Sequence, residues 1–434
     1  MSEFLEAASG PIGGFYLAAA AVNAVAAFRA GIHRRWPNLA AWGAVAILFA
    51  LCAAWSFAGR PPELPAALKA AFDAALGPIA LLAGSAVALA VFYRWRRLFV
   101  VPAVAFGIFN ISLFWLGASL ADRHFAAIVA RPDNLPIVGM VYLLAFFTWL
   151  STARAVANDD RLARGEPPLE AADTAKVLTW PDAVYLELIG LVAILAALIV
   201  WALLVPAPLE EPANPAMTPN PSKAPWYFVG LQELLVYFAP WLAGVVLPLL
   251  IVLGLMAIPY LDVNPKGNGY YTIRERWREL AVFQSGFLLL WILLILIGTF
   301  LRGPNWSFYG PYEYHDPVKV APQHHVRLSE WLWVDLLERS VPQVQPGAGF
   351  FAEWGTILYR EAAGLLLLAA YFAGIPFLLS RYGLRSVYRR MGTGRYTILI
   401  LLLLMMLMLP IKMLLAWTLD LSYLVSIPEY LFYF

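Results

Sequence analysis

Residues 281–301 read AVFQSGFLLLWILLILIGTFL, and residues 184–206 read VYLELIGLVAILAALIVWALLVP. The first run carries no charged residue and the second only Glu187. About 20 mostly apolar residues span the hydrocarbon core as a helix. Backbone groups in lipid must be satisfied within the element, which leaves helices or closed barrels. Neither run alternates with the period of two that a barrel strand requires. These stretches therefore predict an all-α, polytopic integral membrane protein.

Working outward, ten such runs are predicted, near 12–28, 41–58, 74–92, 98–120, 135–153, 184–206, 242–260, 281–301, 361–380 and 396–418. Composition agrees: 62% of the 434 residues are hydrophobic and 13% charged, about half the charge a soluble domain carries. That leaves too little polar surface to cover a water-exposed globule, and nothing in the chain suggests a nucleic-acid partner. The only cysteine is Cys52. A disulfide framework, a cysteine-ligated cluster and covalent c-type haem are thereby excluded. The acidic opening MSEFLEAASGP precedes a span without a cleavage signature, so it is expected to be retained.

Charge sets the expected orientation. Arg29, Arg34 and Arg35, then Arg94, Arg96 and Arg97, then Arg154, Arg161, Arg164 and Lys176, fall in alternate loops. Lys266, Arg274, Arg276 and Arg278, then Arg381, Arg385, Arg389, Arg390 and Arg395, complete the series. Basic loops stay in the cytoplasm, so both termini and the segments 207–241 and 302–360 are expected on the outer, periplasmic side of a bacterial inner membrane. The chain divides into a five-helix block (1–158), a cytoplasmic linker (159–180), a three-helix region (181–303), an aromatic outer segment (304–360) with amphipathic pieces near 327–338 and 350–357, and two further spans (361–434).

From Trp180 the chain runs WPDAVYLELIG, then EPANPAMTPNPSKAPWYFVGLQELL (211–235), then IPYLDVNPKGNGYYTIRERWRELAVF (258–283), and closes the next span with IGTFLRGP. In order, spacing and sidedness, residues 175–303 resemble the C-terminal part of cytochrome b, or subunit IV of cytochrome b6f-type complexes, in a bacterial variant reading K-A-P-W-Y-F. The resemblance implies a subunit of a bc-type quinol:acceptor oxidoreductase, respiratory or photosynthetic, with quinone or quinol (menaquinol or ubiquinol) as its ligand. It implies as partners a haem b-carrying cytochrome b subunit and an iron–sulfur or multihaem c-type cytochrome subunit on the outer face, with segment 302–360 as their dock. In that family the tryptophan–tyrosine segment lines the quinol-oxidising pocket. On matching positions Trp226, Tyr227 and Phe228 fall there, with Leu231 and Tyr237 on the following turns. A quinol ring needs such a flat apolar slot and a polar group to take its protons.

The family's glutamate aligns with Pro225 here, and the proline before it with Ala224. Glu233, two turns past Tyr227, is the carboxylate that could replace it as proton acceptor. Glu187, one turn inside its span, could lie near an inner-face quinone site or pair with a linker arginine. Lys412, following Pro410 inside the last span, is expected to snorkel outward rather than line a proton path. Asp262, Asn264 and Asn268 beside Pro265 and Gly267 read as turn residues. The five histidines, His33, His124, His315, His324 and His325, all lie outside mid-span positions. The chain is thus expected to hold no haem and no metal by itself, although adjacent His324 and His325 sit near Glu313 and Asp316. Two other readings remain open: a membrane anchor whose quinol site decayed, favoured by Pro225, and, with little mid-span charge to support it, a transporter.

Overall fold

The computed structural model describes residues 2–172, 176–205, 212, 214–264, 269–320 and 326–434. Its membrane-length helices are α1 (Ser2–Ile32), α2 (Trp36–Phe57), a bent pair α3 (Ala66–Ala75) and α4 (Pro78–Arg94), and α5 (Pro102–Ser119). After the short α6 (Arg123–Val129) come α7 (Leu135–Ala163), α8 (Thr179–Leu204), the short α9 (Trp226–Leu234), α10 (Leu242–Leu261) and α11 (Trp277–Leu301). Then follow the amphipathic α12 (328–336) and α13 (Phe350–Arg360), and the closing spans α14 (Ala362–Gly383) and α15 (Arg385–Leu419). Nine described helices are long and apolar enough to cross a membrane, or ten with the bent pair taken as one span. The only described sheets are two-stranded. β1 (Val326–Arg327) runs parallel to β2 (Leu421–Tyr423), and β3 (Ser426–Ile427) runs antiparallel to β4 (Phe432–Tyr433).

The sequence dictates where several helices begin. Pro37, Pro78, Pro102 and Pro136 each occupy the first turn of α2, α4, α5 and α7, where a missing N–H costs no helical bond. At Gly77–Pro78 this rule changes the expected span. The residue before proline is pushed out of the α region, Gly77 is extended (φ −71°, ψ 165°), and α3 turns from α4 by 91°. The run predicted at 74–92 therefore begins at Pro78, and α3 instead joins the loops at its end of the bundle: Lys69 pairs with Glu63 (2.6 Å) and Asp122 (2.7 Å). A second difference lies in the expected linker at 159–180, whose first residues form the last turn of α7. Asp159 accepts from Thr272 Oγ1 (2.6 Å) and the Arg274 amide (3.2 Å), and Asn158 Nδ2 donates to the Tyr271 carbonyl (2.9 Å). The end of the N-terminal block is thus stitched to the loop between α10 and α11.

One apolar core lies among α1, α2 and α5, around Ile12, Tyr16, Phe49 and Cys52. Within it Asn23 Nδ2 donates to Asn110 Oδ1 at 2.6 Å, the interhelical polar contact that membrane helices use as glue. A larger core gathers α9, α11 and α15 with Leu82 of α4, around Leu234, Leu294 and Met413. Between α9 and α11 the fit is reciprocal: a Cβ on Gly298 would sit 3.0 Å from Val229 Cγ2, and one on Gly230 would sit 3.1 Å from Ile295 Cγ1. Lipid offers no hydrophobic drive between helices, so close approach through small residues carries the association. In contrast, α8 has no buried residue along its length.

Lys412 does not snorkel outward. It is buried, donates from Nζ to the Ser422 carbonyl and faces the rings of Phe238 (5.9 Å) and Tyr423 (5.6 Å). The chain after α15 folds back over the helix end, and this cover is what turns the side chain inward.

Gly298→Val is expected to wedge α9 from α11 and to lower stability by about 1–3 kcal/mol, the cost of overpacking a fitted contact. Thermal unfolding of the purified protein in detergent measures it, with an unchanged melting temperature refuting the close-packing role.

Candidate functional site: a buried ion pair beneath an aromatic helix

The α9 helix starts immediately after Pro225, which serves as its N-cap. Its entry is pinned by Gln232, whose Oε1 accepts from the Ala224 amide (2.8 Å) and whose Nε2 donates to the Ser222 carbonyl (2.8 Å). Lys223 Nζ donates to the Thr299 carbonyl at 2.7 Å. Asn220 joins the same frame by exchanging hydrogen bonds with Asn305.

Burial then sorts the expected site residues into two groups. Trp226, Tyr227 and Phe228 are 42%, 51% and 53% exposed and touch edge to face or tilted, with Tyr227 and Phe228 centroids 4.8 Å apart. Leu231 is half-buried against the larger core. Glu233, two turns past Trp226, has 0% exposure, and Tyr237 is buried beside it. The aromatic triplet forms one surface; Glu233 and Tyr237 form a separate site under it.

That buried site is a charge lock. Arg302 Nη2 reaches Glu233 Oε1 at 2.7 Å, and Arg302 Nε reaches Oε2 at 3.0 Å. Trp306 Nε1 donates to Oε2 (2.9 Å) and the Tyr237 hydroxyl to Oε1 (3.0 Å). The remaining guanidinium nitrogen donates to the Trp306 carbonyl at 2.9 Å. Burial opposes the charge on Arg302, but the Glu233 carboxylate overrides it and holds the guanidinium above its ordinary range. Burial, then the negative Glu233, hold the Tyr237 phenol well above its own. Each Glu233 oxygen accepts from Arg302 and from one further donor. The sequence offered no partner for Glu233: Arg302 is a single arginine at the end of a span, 69 residues away.

Glu187, the expected inner-face residue, is exposed on α8 and makes no ion pair with a described residue. His33 follows α1, His124 sits in α6 and His315 in the segment after α11. No group of three described His, Cys, Asp or Glu side chains converges on a metal position. His324 and His325, and Pro265, Gly267 and Asn268, lie outside the described residues. Asp262 is a turn residue as expected, accepting from the Asn264 amide at 3.0 Å.

The segment after α11 packs over this end of the bundle. Its Tyr312 bonds Ser119 Oγ (2.8 Å) and donates its amide to Asp73 (2.9 Å), and the pieces expected near 327–338 and 350–357 are the helices α12 and α13. His315 stacks on Tyr309 at 4.4 Å, and its buried Nε2 has no hydrogen-bond partner among the described residues. Burial, reinforced by Lys223, pushes its imidazole down to about 4.

A multi-pass, helical membrane protein whose short interfacial helix is locked to the following span by a buried ion pair is the class this architecture defines. Within it, residues 212–311 match the family model of cytochrome b(C-terminal)/b6/petD, which supports the cytochrome b C-terminal, subunit IV-like reading of this region. The family suggests part of a bc-type electron-transfer complex, whose members are associated with quinone binding and with assembly alongside other membrane subunits. The match includes α9, α10, α11 and the Tyr309 turn; α8 and the first five spans lie outside it. No solved structure matches the chain.

Removing one member of a buried pair costs about 3–5 kcal/mol, whereas replacing both by apolar groups can be neutral. Glu233→Ala should therefore lower stability by about that amount, with Glu233→Leu/Arg302→Met restoring most of it; equal losses in the single and double variants would remove the coupling. For His315 the depressed folded value means that the unfolded chain takes up the proton first. Stability should be level above about pH 6.5 and fall as pH drops toward about 4. His315→Gln should flatten that window in a pH series of melting temperatures.

Proposed function

We propose that the chain is a haem-free membrane subunit of a bc-type quinol:acceptor oxidoreductase and contributes the outer-face quinol surface. The observation that carries this reading is the exposed triplet Trp226–Tyr227–Phe228, set at the position where the cytochrome b C-terminal match falls. A quinone ring would lie against these rings, with Leu231 at its edge, in the apolar setting that such heads prefer. Quinol oxidation releases two electrons and two protons. The electrons would pass to cofactors of a partner: a haem b-carrying subunit within the membrane and an iron–sulfur or c-type cytochrome subunit outside it. The unburied α8 supports such an assembly, because it offers its whole circumference to a neighbouring membrane chain.

Glu233 takes one of two parts in this scheme. As a proton acceptor it would act with Tyr237 once a bound quinol draws Arg302 away. As a permanent ion pair it would hold α9 at its angle and leave proton release to a partner's group. Its saturated hydrogen bonding favours the second part.

The alternative reading, a membrane anchor that kept the scaffold without a working quinol surface, rests on Pro225, which cannot supply the carboxylate the family carries there. Tyr227→Ala separates the two. In the assembled complex it should reduce quinol oxidation at least tenfold with subunit content and melting temperature unchanged. Full turnover in an intact complex would leave the anchor reading standing.

A further inference from the structure

A cavity of about 1630 Å³ runs between α1, α2, α4, α5 and α7 and reaches Phe300 of α11. Along α5 its lining extends from Pro102 to Leu116, which at 1.5 Å per residue is about 21 Å, or some two-thirds of a ~30 Å hydrocarbon core. It exceeds the ~300–1,000 Å³ of ordinary small-molecule sites. Its ends differ in chemistry. At the α6 end the walls are Phe125, Ile128, Val129 and Pro311; at the other end Arg29, His33, Arg35 and Asn38 form the rim, and no carboxylate lines the cavity anywhere. The buried Nε1 of the lining residue Trp149 has no hydrogen-bond partner among the described residues. Basic loops are general at this end of the bundle; this one differs in crowning a long apolar slot.

We propose that the cavity is a structural binding site for one anionic phospholipid. Its acyl chains fill the slot between α5 and α7, and its phosphate sits among Arg29, His33 and Arg35. The Trp149 indole is placed to donate to an ester carbonyl below the phosphate. Length, apolar walls and one-ended positive charge together select this amphiphile over a neutral one, since basic pockets between membrane helices take acidic headgroups. The site lies outside the matched 212–311 region and does not depend on the quinol reading. Its role is to complete the packing of the N-terminal block, which has no side chains of its own to fill this volume.

The test uses the full chain, delipidated in mild detergent and titrated with phosphatidylglycerol or phosphatidylcholine. Native mass spectrometry and melting temperature provide the readouts. One retained phosphatidylglycerol, bound at least tenfold more tightly than phosphatidylcholine and raising the melting temperature by mass action, is the expected result. Arg29→Gln/Arg35→Gln, at exposed positions that the fold does not need, should abolish that preference. Ser112→Trp should weaken lipid retention by obstructing the slot, while circular dichroism reports intact helix content. Equal retention of both lipids, retention unchanged by the charge-removing double variant, or a cryo-EM map showing a quinone tail or a partner helix in the cavity would each overturn the proposal.

Discussion

The architecture around α9 depends on burying Glu233 without leaving its charge uncompensated. A carboxylate removed from water costs several kcal/mol, and Arg302 offsets that cost with two hydrogen bonds while Trp306 and Tyr237 take up the remaining acceptor capacity. This single constraint draws together three separate pieces of chain. It holds α9 against the end of α11, it sets the turn at residues 303–308, and it holds the Tyr237 turn that leads into α10. The pair is buried at the C-terminal end of α9, while Trp226, Tyr227 and Phe228 in its first turn stay exposed.

A second constraint links the two halves of the molecule. At one end Asp159 and Asn158 of α7 satisfy backbone and hydroxyl groups of the loop before α11. At the other, Tyr312 reaches back to Ser119 and Asp73. The first part of the segment after α11 is therefore tied to the N-terminal block. Along the described segment Tyr314, Val318, Trp331, Phe350 and Phe351 stay exposed. The first five spans thus hold one side of the cytochrome b-like region, while α8 leaves another side uncovered.

The spans were legible because lipid imposes a uniform demand: twenty apolar residues, few charges, every backbone bond internal. The cytochrome b-like region was legible because its motifs are local, and WYFVGLQE needs only one short helix to place an aromatic face. The 91° break at Gly77–Pro78 was present in the residues but hidden by hydropathy, which averages across it. Lys412 was misread for a related reason. Snorkelling was inferred from distance to the helix end, and nothing local announces that residues 420–427 fold back over it.

By itself, the sequence determined that this protein lives in a bilayer as a multi-pass helical chain, and where a subunit IV-like aromatic helix sits. Only the tertiary structure decided the state of Glu233, the burial of Lys412 and the existence of a long apolar cavity with one basic end. The physical reason is the range of the interactions. Hydropathy and helical periodicity act over a few turns and are written in consecutive residues. A buried charge, by contrast, is tolerated only through a partner that folding brings from 69 residues away. A cavity is defined by side chains that five helices fail to supply, and no consecutive stretch of residues records that.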